Sequence, residues 1–358
     1  MDERYRKVLI GPNVCIREAL KQMNEVGLQV LFVVDEENRI VGIITDGDVR
    51  RSLLNNIPFD EPIEKIMNRN PITLRFPYKE AEALELMKKN SIKHIPVINE
   101  KQEVVDIILW SDFLNNGKVK YPSQNIPVVI MAGGRGTRLD PFTKILPKPL
   151  IPIGEKTIIE VLMQNYRKYG FNKFILILKY KAEMIKTYLL ENKNDYKLEF
   201  FEEQEYLGTA GGLSLIKNIL KDTFIVANCD VIVYTDFYNL LNFHRENGNK
   251  ITILGILKYF KVPYGVLELN AYNLKEFIEK PELDFIINSG IYVLEPDIIN
   301  FIPSGKPVDM PELLKMAQKN NCKVQVYPIN CPWFDVGQWD EYNKAIDFIK
   351  RYGNLNNV

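Results

Sequence analysis

Two segments in the first third of the chain repeat one another at an offset of 64 positions. The matched stretches are Glu18-Ala19-Leu20 with Glu82-Ala83-Leu84, Val33-Val34-Asp35 with Val97-Ile98-Asn99, and Asp48 with Asp112. In each copy a segment of helical periodicity, at 16–26 in the first and 81–90 in the second, precedes an apolar strand, a turn, a second strand and a short helix. Because so small a unit cannot bury its apolar face alone, the sequence predicts that the two copies pack against each other.

The end of the first copy carries the most specific pattern, Val41-Gly42-Ile43-Ile44-Thr45-Asp46-Gly47-Asp48. This pattern resembles a CBS domain pair, with repeats at about residues 7–56 and 60–117. The resemblance implies an adenine-nucleotide site at Thr45 and Asp48, with Asp112 as the counterpart in the second copy, where Leu109 replaces the threonine. Helix capping is the alternative interpretation of Thr45 and Asp48. Dimerisation is the alternative role of the pair.

A different pattern follows the repeats. We predict the repeat pair over residues 1–117, a polar linker over 118–125 and a second domain over 126–358. In the second domain short apolar runs, beginning at 126–131 and including 250–257 and 291–294, alternate with helical stretches such as 158–169. This alternation indicates an α/β sheet with helices on both faces, and ligands then bind at the carboxyl ends of the strands.

The charge balance and the scarcity of some residue types exclude several classes of function. The chain has 46 basic and 46 acidic residues, so nothing favours nucleic acid or an anionic membrane as a partner. It has two histidines and four cysteines without CxxC spacing, which argues against a zinc site or a disulfide framework. Any metal is therefore expected on carboxylates. Neither a signal peptide nor a membrane-spanning run is recognisable, so we expect a cytoplasmic protein.

The predicted strand at 126–131 is followed by the glycine-rich run Ala132-Gly133-Gly134-Arg135-Gly136-Thr137-Arg138. Three glycines let the backbone approach a polyphosphate and direct N–H groups towards it. The run is not a P-loop, because no Gly-Lys-Ser/Thr follows. It continues to Pro147-Lys148-Pro149, and Arg138 and Lys148 supply cations for the phosphates.

This extended run closely resembles the signature of the sugar-phosphate nucleotidyltransferases, over about residues 126–345. The resemblance implies a Rossmann-like domain with a mostly parallel mixed sheet. It also implies that Ala132, Gly133, Gly134, Gly136 and Thr137 bind the triphosphate, with Arg138 on the pyrophosphate and Lys148 on the reacting phosphates.

Two aspartates resemble the Mg²⁺ ligands of that family. Asp230 ends an apolar strand, and Asp335 lies in Trp333-Phe334-Asp335-Val336-Gly337. Carboxylate oxygens are the ligands that Mg²⁺ prefers. The family usually has Gly before the first aspartate, where this chain has Cys229. The alternatives are that Asp230 caps the next helix and that Asp335 is a turn residue.

The resemblance extends to the sugar-phosphate side of the site. Lys280 would bind the phosphate of the sugar, Glu279 and Asn288 its hydroxyls, and the loop at Tyr264 and Gly265 would face the sugar. The alternative is that Glu279 and Lys280 form a solvated surface pair.

The segment from Glu202 to Gly212 resembles the base-reading loop of the family. The resemblance implies that Glu203, Gly208, Thr209, Ala210 and Gly211 bind the nucleotide. Enzymes that use UTP or dTTP usually have Gln at the position of Glu203. A carboxylate only accepts hydrogen bonds, and guanine offers two adjacent N–H donors, so Glu203 favours GTP. The alternative is that Glu203 faces solvent and the backbone of 208–212 reads the base.

The sequence therefore predicts nucleotidyl transfer from an NTP, with GTP favoured, to a sugar-1-phosphate. GDP-glucosamine is one candidate product, and mannose- and heptose-1-phosphate remain open as acceptors. The predicted catalytic residues are Arg138, Lys148, Asp230, Lys280 and Asp335. A uridylyl- or cytidylyltransferase and a catalytically inactive nucleotide sensor are the alternatives. The repeat pair is expected to regulate the second domain or to form a homo-oligomer.

Overall fold

The computed structural model describes residues 3–115, 121–191 and 196–352. The first three residues of the predicted linker, 118–120, lie outside this range. Within it, no helix has both the length and the apolar character needed to cross a membrane.

Each repeat folds as β-α-β-β-α around a three-stranded sheet. The elements of the first are β1 (Leu9–Ile10), α1 (Ile16–Val26), β2 (Val30–Val34), β3 (Ile40–Thr45) and α2 (Asp46–Leu54). Those of the second are β4 (Leu74–Arg75), α3 (Glu80–Asn90), β5 (His94–Ile98), β6 (Val104–Leu109) and α4 (Trp110–Asn115). Helix α1 buries one face through Ile16, Ala19, Leu20 and Met23, and it ends at Gly27, whose φ of 71° suits glycine.

The two repeats pack against each other, as the sequence predicted. Ile98, Val104, Ile107 and Leu109 of the second repeat join the apolar core of the first. Backbone hydrogen bonds also join the turns, since Ile40 N–H donates to Gln102 O at 3.0 Å.

In the second part of the chain, strands alternate with helices along the described residues. They are β7 (Gln124–Ala132), α5 (Phe142–Ile145), β8 (Pro152–Ile153), β9 (Lys156–Thr157), α6 (Ile158–Arg167), β10 (Phe171–Leu178), α7 (Ala182–Glu191), β11 (Lys197–Glu202), α8 (Gly208–Gly211), β12 (Phe224–Asn228), β13 (Val231–Val233), α9 (Phe237–Glu246), β14 (Ile251–Lys261), β15 (Val266–Asn270), β16 (Asn273–Ile278), β17 (Glu282–Leu294), α10 (Met310–Lys319), β18 (Val324–Ile329), β19 (Trp333–Asp335) and α11 (Trp339–Tyr352). Strand β7 begins at Gln124, so Gln124 and Asn125 belong to the sheet and not to the predicted linker.

Seven strands form the central sheet in the order β11-β10-β7-β12-β17-β14-β18. Only β17 among these seven runs antiparallel to its neighbours. Helices α6, α7 and α9 cover one face, and α10 lies against the other. The predicted mixed, mostly parallel α/β fold is thus confirmed. Because six strands point the same way, their carboxyl ends meet at one edge of the sheet.

Strands β14 and β17 are longer than the sequence suggested. The apolar pattern predicted strands at 250–257 and 291–294, whereas β14 extends to Lys261 and β17 begins at Glu282. The added halves pair with each other beyond the body of the sheet, next to the separate hairpin β15–β16. The sequence did not predict these added halves because they contain no continuous apolar run. Their large apolar residues, such as Phe260 and Phe285, are exposed.

The first repeat packs directly on the second domain. Leu257 of β14 is buried in the repeat core, and Tyr259 packs against it. Arg17 of α1 pairs with Asp284, and Lys21 Nζ lies 3.2 Å from Glu282 Oε2. These contacts attach the repeats to the extended ends of β14 and β17.

Candidate active site

The glycine-rich run forms the loop that follows β7 at the carboxyl edge of the sheet. Gly136 has a φ of 67°, and a methyl group there would lie 3.1 Å from both Lys148 Cβ and Thr143 Cγ2. Glycine is therefore required for both backbone conformation and space. Gly133, Gly134, Gly136, Thr137 and Arg138 line a cavity of about 440 Å³. Ala132 is buried as the last residue of β7 and lies behind this surface.

Lys148 lies at the base of the cavity and is only 6% exposed. A short turn, Lys148–Leu150, holds it between Pro147 and Pro149. Its ammonium group pairs with Asp230 Oδ2. The structure thus brings together two residues that are 82 positions apart in the sequence.

The two candidate metal ligands lie side by side because β13 and β19 pair antiparallel. Asp230 immediately precedes β13, and Asp335 is the last residue of β19, opposite Val231. Val336 N–H also donates to Asp230 O at 2.9 Å. On the outer side, Arg138 Nη1 lies 3.9 Å from Asp335 Oδ2.

Gly337 allows the two carboxylates and the Lys148 ammonium group to approach its backbone closely. A methyl group at this position would lie 2.9 Å from Asp335 Oδ1, 3.1 Å from Asp230 Oδ2 and in contact with Lys148 Nζ. Two carboxylates that lie close together supply the oxygen ligands that Mg²⁺ prefers. Within residues 3–115, 121–191 and 196–352, no group of three or more His, Cys, Asp and Glu side chains could hold a metal. The remaining ligands of an ion here would be substrate phosphates and water.

Cys229 replaces the glycine that the family usually has beside its first metal carboxylate. The side chain is buried, and burial raises the pKa of its thiol to about 12. Cys229 thus occupies the position beside Asp230 as a buried side chain that also borders the cavity.

Glu203 follows β11 at the other end of the cavity and is 7% exposed, so it does not face solvent. A methyl group on Gly133 would lie 2.9 Å from Glu203 Oε2, and one on Gly212 would lie 2.5 Å from Oε1. Two glycines thus make room for the carboxyl group. Burial raises its pKa, although Leu207 N–H and the nearby Lys179 oppose the shift.

The rest of the predicted base-reading loop divides into exposed and structural residues. Gly208 and Thr209 line the cavity. Ala210 and Gly211 are buried, and their N–H groups donate to Val308 O at 2.9 and 3.0 Å. These two residues attach the loop to Val308 and do not line the cavity.

The predicted sugar-side residues are more widely spread. Asn288 Nδ2 donates to Tyr292 OH at 2.6 Å, in the body of the sheet. Tyr264 is 74% exposed, and Lys280 Nζ lies 3.6 Å from Glu279 Oε1 with both side chains exposed. Four of these residues directly precede or follow the β15–β16 hairpin and do not line the cavity: Tyr264, Gly265, Glu279 and Lys280. Their role in binding sugar phosphate therefore stays a prediction.

Three residues at the mouth of the cavity were not identified from the sequence. Arg135 Nε donates to Tyr206 OH at 3.0 Å, and Lys179 Nζ lies 5.0 Å from the centre of the Tyr206 ring. Lys179 follows directly after β10, so the rule that ligand residues follow parallel strands would have found it. Tyr206 and Arg135 gave no such signal.

A second cavity, of about 690 Å³, lies between the repeats and the second domain. Thr45 and Asp48 line it, but Asp112 is not among the described residues that do. Asp48 Oδ2 accepts from Thr45 N–H at 2.8 Å and from its hydroxyl at 2.6 Å. These bonds make the capping interpretation correct, and both residues remain open to the cavity. Asp112 Oδ2 accepts from Leu109 N–H at 2.9 Å in the equivalent position.

Comparisons with known proteins agree with this division of the chain. A family model described as nucleotidyl transferase matches residues 127–351, and the CBS domain model matches 12–55 and 63–118. These matches support both resemblances seen in the sequence.

Relatives with different names match the second part of the chain. A mannose-1-phosphate guanyltransferase of Debaryomyces hansenii is 35% identical over 221 residues, which are 59% of this chain. The match spans only 60% of that relative's length. A Bacillus subtilis protein named probable glucose-1-phosphate cytidylyltransferase is 33% identical over 247 residues, covering 63% of this chain and 95% of the relative.

Among solved structures, HddC from Yersinia pseudotuberculosis complexed with GMP-PN matches with a TM-score of 0.51 and 29% identity. The match covers 63% of this chain and 99% of that chain.

Proposed function

Because the chain belongs to the nucleotidyl transferase family, we propose that it transfers a nucleotidyl group from an NTP to a sugar-1-phosphate. The observation that carries this proposal is the close approach of Lys148, Asp230 and Asp335 around Gly337. Lys148 and Asp230 line the glycine-rich cavity, where the α-phosphate of a bound triphosphate would bind, and Asp335 lies next to them.

The proposed reaction is an in-line displacement at phosphorus. An oxygen of the sugar-1-phosphate attacks the α-phosphorus of the NTP, and the bond from that phosphorus to the α–β bridging oxygen breaks. Pyrophosphate leaves and an NDP-sugar forms. The attacking oxygen is already anionic, so no general base is needed. Catalysis then consists of positioning and of neutralising charge.

Different residues of the site would act on different phosphate groups. Backbone N–H groups of Gly133 to Thr137 and the guanidinium of Arg138 would hold the leaving pyrophosphate. The Lys148 ammonium would neutralise the α-phosphate. Asp230 and Asp335 would hold a divalent ion, proposed as Mg²⁺, which supplies further positive charge at the reacting phosphates. Lys280 is proposed to bind the phosphate of the sugar.

GTP is the proposed nucleotide. The support is Glu203, a buried carboxyl group at the cavity wall with space made for it by Gly133 and Gly212. A carboxylate there matches the N1–H and N2–H donors of guanine, whereas uracil offers one donor between two acceptors. The glucosamine, mannose and heptose 1-phosphates are the proposed acceptors to be tested, with GDP-glucosamine as one candidate product.

The repeat pair is proposed to bind an adenine nucleotide in the second cavity, at Thr45 and Asp48. Arg51 and Lys93 also line this cavity and would face the phosphates. The proposed location of the nucleotidyl transfer is the cytoplasm, where NTPs are available.

One experiment tests the proposal as a whole: pyrophosphate release with each of four NTPs and a panel of sugar-1-phosphates, with and without Mg²⁺ and AMP. We expect release with GTP and one of these sugars, dependent on Mg²⁺. Release with UTP or CTP alone would overturn the base assignment. An absence of release in every combination would favour the nucleotide sensor.

Asp230→Asn tests the metal assignment. Removing one carboxylate charge weakens the hold on the ion, so we expect turnover to fall by about 10²-fold or more. Circular dichroism should show an unchanged fold, since asparagine has the same size and its Oδ1 can still accept a hydrogen bond from Lys148. Turnover close to that of the wild type would contradict the assignment.

A further inference from the structure

Lys179 lies between the glycine-rich loop and the predicted base-reading loop. It directly follows β10, which pairs parallel with β7 on one side and with β11 on the other. A methyl group on Gly133 would lie 3.6 Å from Lys179 Cβ and 2.9 Å from Glu203 Oε2. The stem of Lys179 and the carboxyl group of Glu203 therefore flank the same glycine.

The ammonium group of Lys179 holds the backbone of the base-reading loop. Its Nζ donates to Gln204 O and lies 3.5 Å from Glu203 O. Glu203 N–H donates to Leu178 O at 2.9 Å, so the residue before Lys179 also holds this loop. The position of Glu203 in the cavity thus depends on the last residue of β10 and on the lysine that follows it.

Tyr206 and Arg135 extend this connection to the glycine-rich loop. Lys179 Nζ lies 5.0 Å from the centre of the Tyr206 ring, which is within the range of a cation–π interaction. Tyr206 OH accepts from Arg135 Nε at 3.0 Å, and the guanidinium carbon of Arg135 lies 5.5 Å from the centre of the same ring. Side chains therefore join the base-reading loop to the loop that would hold the triphosphate.

Lys179 is also the cation that acts on the buried carboxyl group of Glu203. Burial raises the pKa of this carboxyl group, whereas the Leu207 N–H and the positive charge of Lys179 lower it. Loss of the Lys179 charge would therefore raise the pKa of Glu203 further.

The other groups around Glu203 differ in charge and exposure. Gly133 and Gly212, which adjoin its carboxyl group, carry no charge. In its own loop, Glu202 pairs with Lys186, and Glu205 is exposed. Among the residues that the structure describes, the other titratable side chains that line the cavity are Arg138, Lys148, Tyr206, Cys229 and Asp230.

The protonation state of Glu203 decides which base it can recognise. An ionised carboxylate only accepts hydrogen bonds, and guanine offers two adjacent N–H donors. A protonated carboxyl group carries one O–H donor, which suits the acceptors of uracil. A lysine that keeps this carboxyl group ionised therefore favours guanine over uracil.

We propose that Lys179 is a positioning residue for Glu203: it holds the base-reading loop in place and keeps the Glu203 carboxyl group available as an acceptor for guanine. Lys179 is not among the residues that line the cavity, so it acts through Glu203. This inference rests on the proposed function and names a second residue that determines the choice of base.

Lys179→Met tests this role, because it removes the charge and keeps most of the apolar stem. Titration calorimetry on the full chain measures the affinities for GTP and UTP at about pH 6 and about pH 8. Metal and sugar phosphate are left out, so the result does not depend on turnover. Lys181→Met is the matched control, since Lys181 Nζ also donates to backbone carbonyls, those of Lys144 and Ile145, at 2.7 and 2.5 Å.

In Lys179→Met we expect the ratio of GTP affinity to UTP affinity to fall by about tenfold at about pH 6. At about pH 8 the ratio should fall by only about threefold, because more of the Glu203 carboxyl group is ionised there. Lys179→Gln, which keeps an N–H donor without the charge, should show the same dependence on pH. Lys179→Arg should keep the ratio within about twofold of the wild type, because arginine stays charged. Lys181→Met should keep the wild-type ratio at both pH values.

Four results would overturn the inference: no GTP binding to the wild type, a wild-type ratio in Lys179→Met and Lys179→Gln, an equal loss at both pH values, or the same loss in Lys181→Met. If the affinities follow the expected pattern but no substrate pair releases pyrophosphate, the proposed reaction fails and the role of Lys179 stands. If GTP supports pyrophosphate release while the Lys179 variants keep the wild-type ratio, the reaction stands and the role of Lys179 fails.

Discussion

Gly337 shows how a single residue type can define the site. Because it has no side chain, Asp230, Asp335 and Lys148 can all lie close to its backbone. For Gly337→Ala we expect turnover to fall by about 10²-fold and the Mg²⁺ requirement to rise, since the methyl group displaces these groups. Pyrophosphate release over a range of Mg²⁺ concentrations measures both effects. Gly11→Ala is the control, because a methyl group at Gly11 contacts nothing within 4 Å. Equal Mg²⁺ dependence in the two variants would contradict the assignment.

Glu203 is the residue on which the choice of base depends. In Glu203→Gln the side chain keeps its shape but gains an N–H donor in place of an acceptor. We expect the kcat/KM for GTP to fall by about tenfold or more, because one guanine N–H loses its partner. The kcat/KM for UTP should fall less or rise. Measuring kcat/KM for both nucleotides checks this, and an unchanged ratio would mean that the backbone of the loop reads the base.

At the scale of elements, the β15–β16 hairpin has the least support from the rest of the fold. Among the residues that the structure describes, its two strands pair only with each other, and Leu267, Leu269, Leu274 and Phe277 are all exposed. A two-stranded sheet without a covering layer is only marginally stable. The predicted sugar-side residues directly precede and follow the hairpin in the chain. We therefore expect the hairpin to close over the cavity when both substrates are bound.

Glu279→Ala with Lys280→Ala tests this closure. We expect the KM for sugar-1-phosphate to rise by about tenfold, because a charge-assisted contact is lost, and the KM for GTP to stay within about twofold. Amide exchange over residues 266–278 should slow when the product binds to the wild type. Glu268→Ala with Lys275→Ala removes the other ion pair of the hairpin, at 2.7 Å, and serves as the control. Equal KM values in the two double variants would rule out closure.

Elements with a strong local pattern could be predicted from the sequence, and those without one could not. Helix α1 was predicted with its exact bounds because its apolar residues follow one face. The glycine-rich loop and Lys148 were identified by their spacing. The exposed halves of β14 and β17 carry no such pattern. The contact of Asn330 with Asp46 joins residues 284 positions apart through single hydrogen bonds, which leave no trace in either local sequence.

At the scale of the whole molecule, the repeats cover a part of the second domain that would otherwise be exposed. Leu257 and Tyr259 pack into the repeat core, and Asn330 finds its partners there. We expect residues 121–352 alone to melt at least about 5 °C below the full chain, because apolar surface is uncovered and buried polar groups lose their partners. Thermal scans with a dye that binds apolar surface measure both effects.

The control is the full chain cleaved between residues 116 and 120, with both pieces present. The two pieces should stay associated and melt close to the intact chain. An isolated second domain that melts at the same temperature as the full chain would show that the interface contributes little.

The pairing of Lys148 with Asp230, and the approach of Arg138 to Asp335, bear on the order in which the reactants assemble. Two carboxylates that already face two cations attract a lone divalent ion only weakly. An incoming triphosphate draws both cations towards its own negative charge and releases the carboxylates at the same moment. We therefore expect the divalent ion to bind and dissociate together with the nucleotide in every catalytic cycle. Between cycles, the protein itself keeps the site electrically neutral.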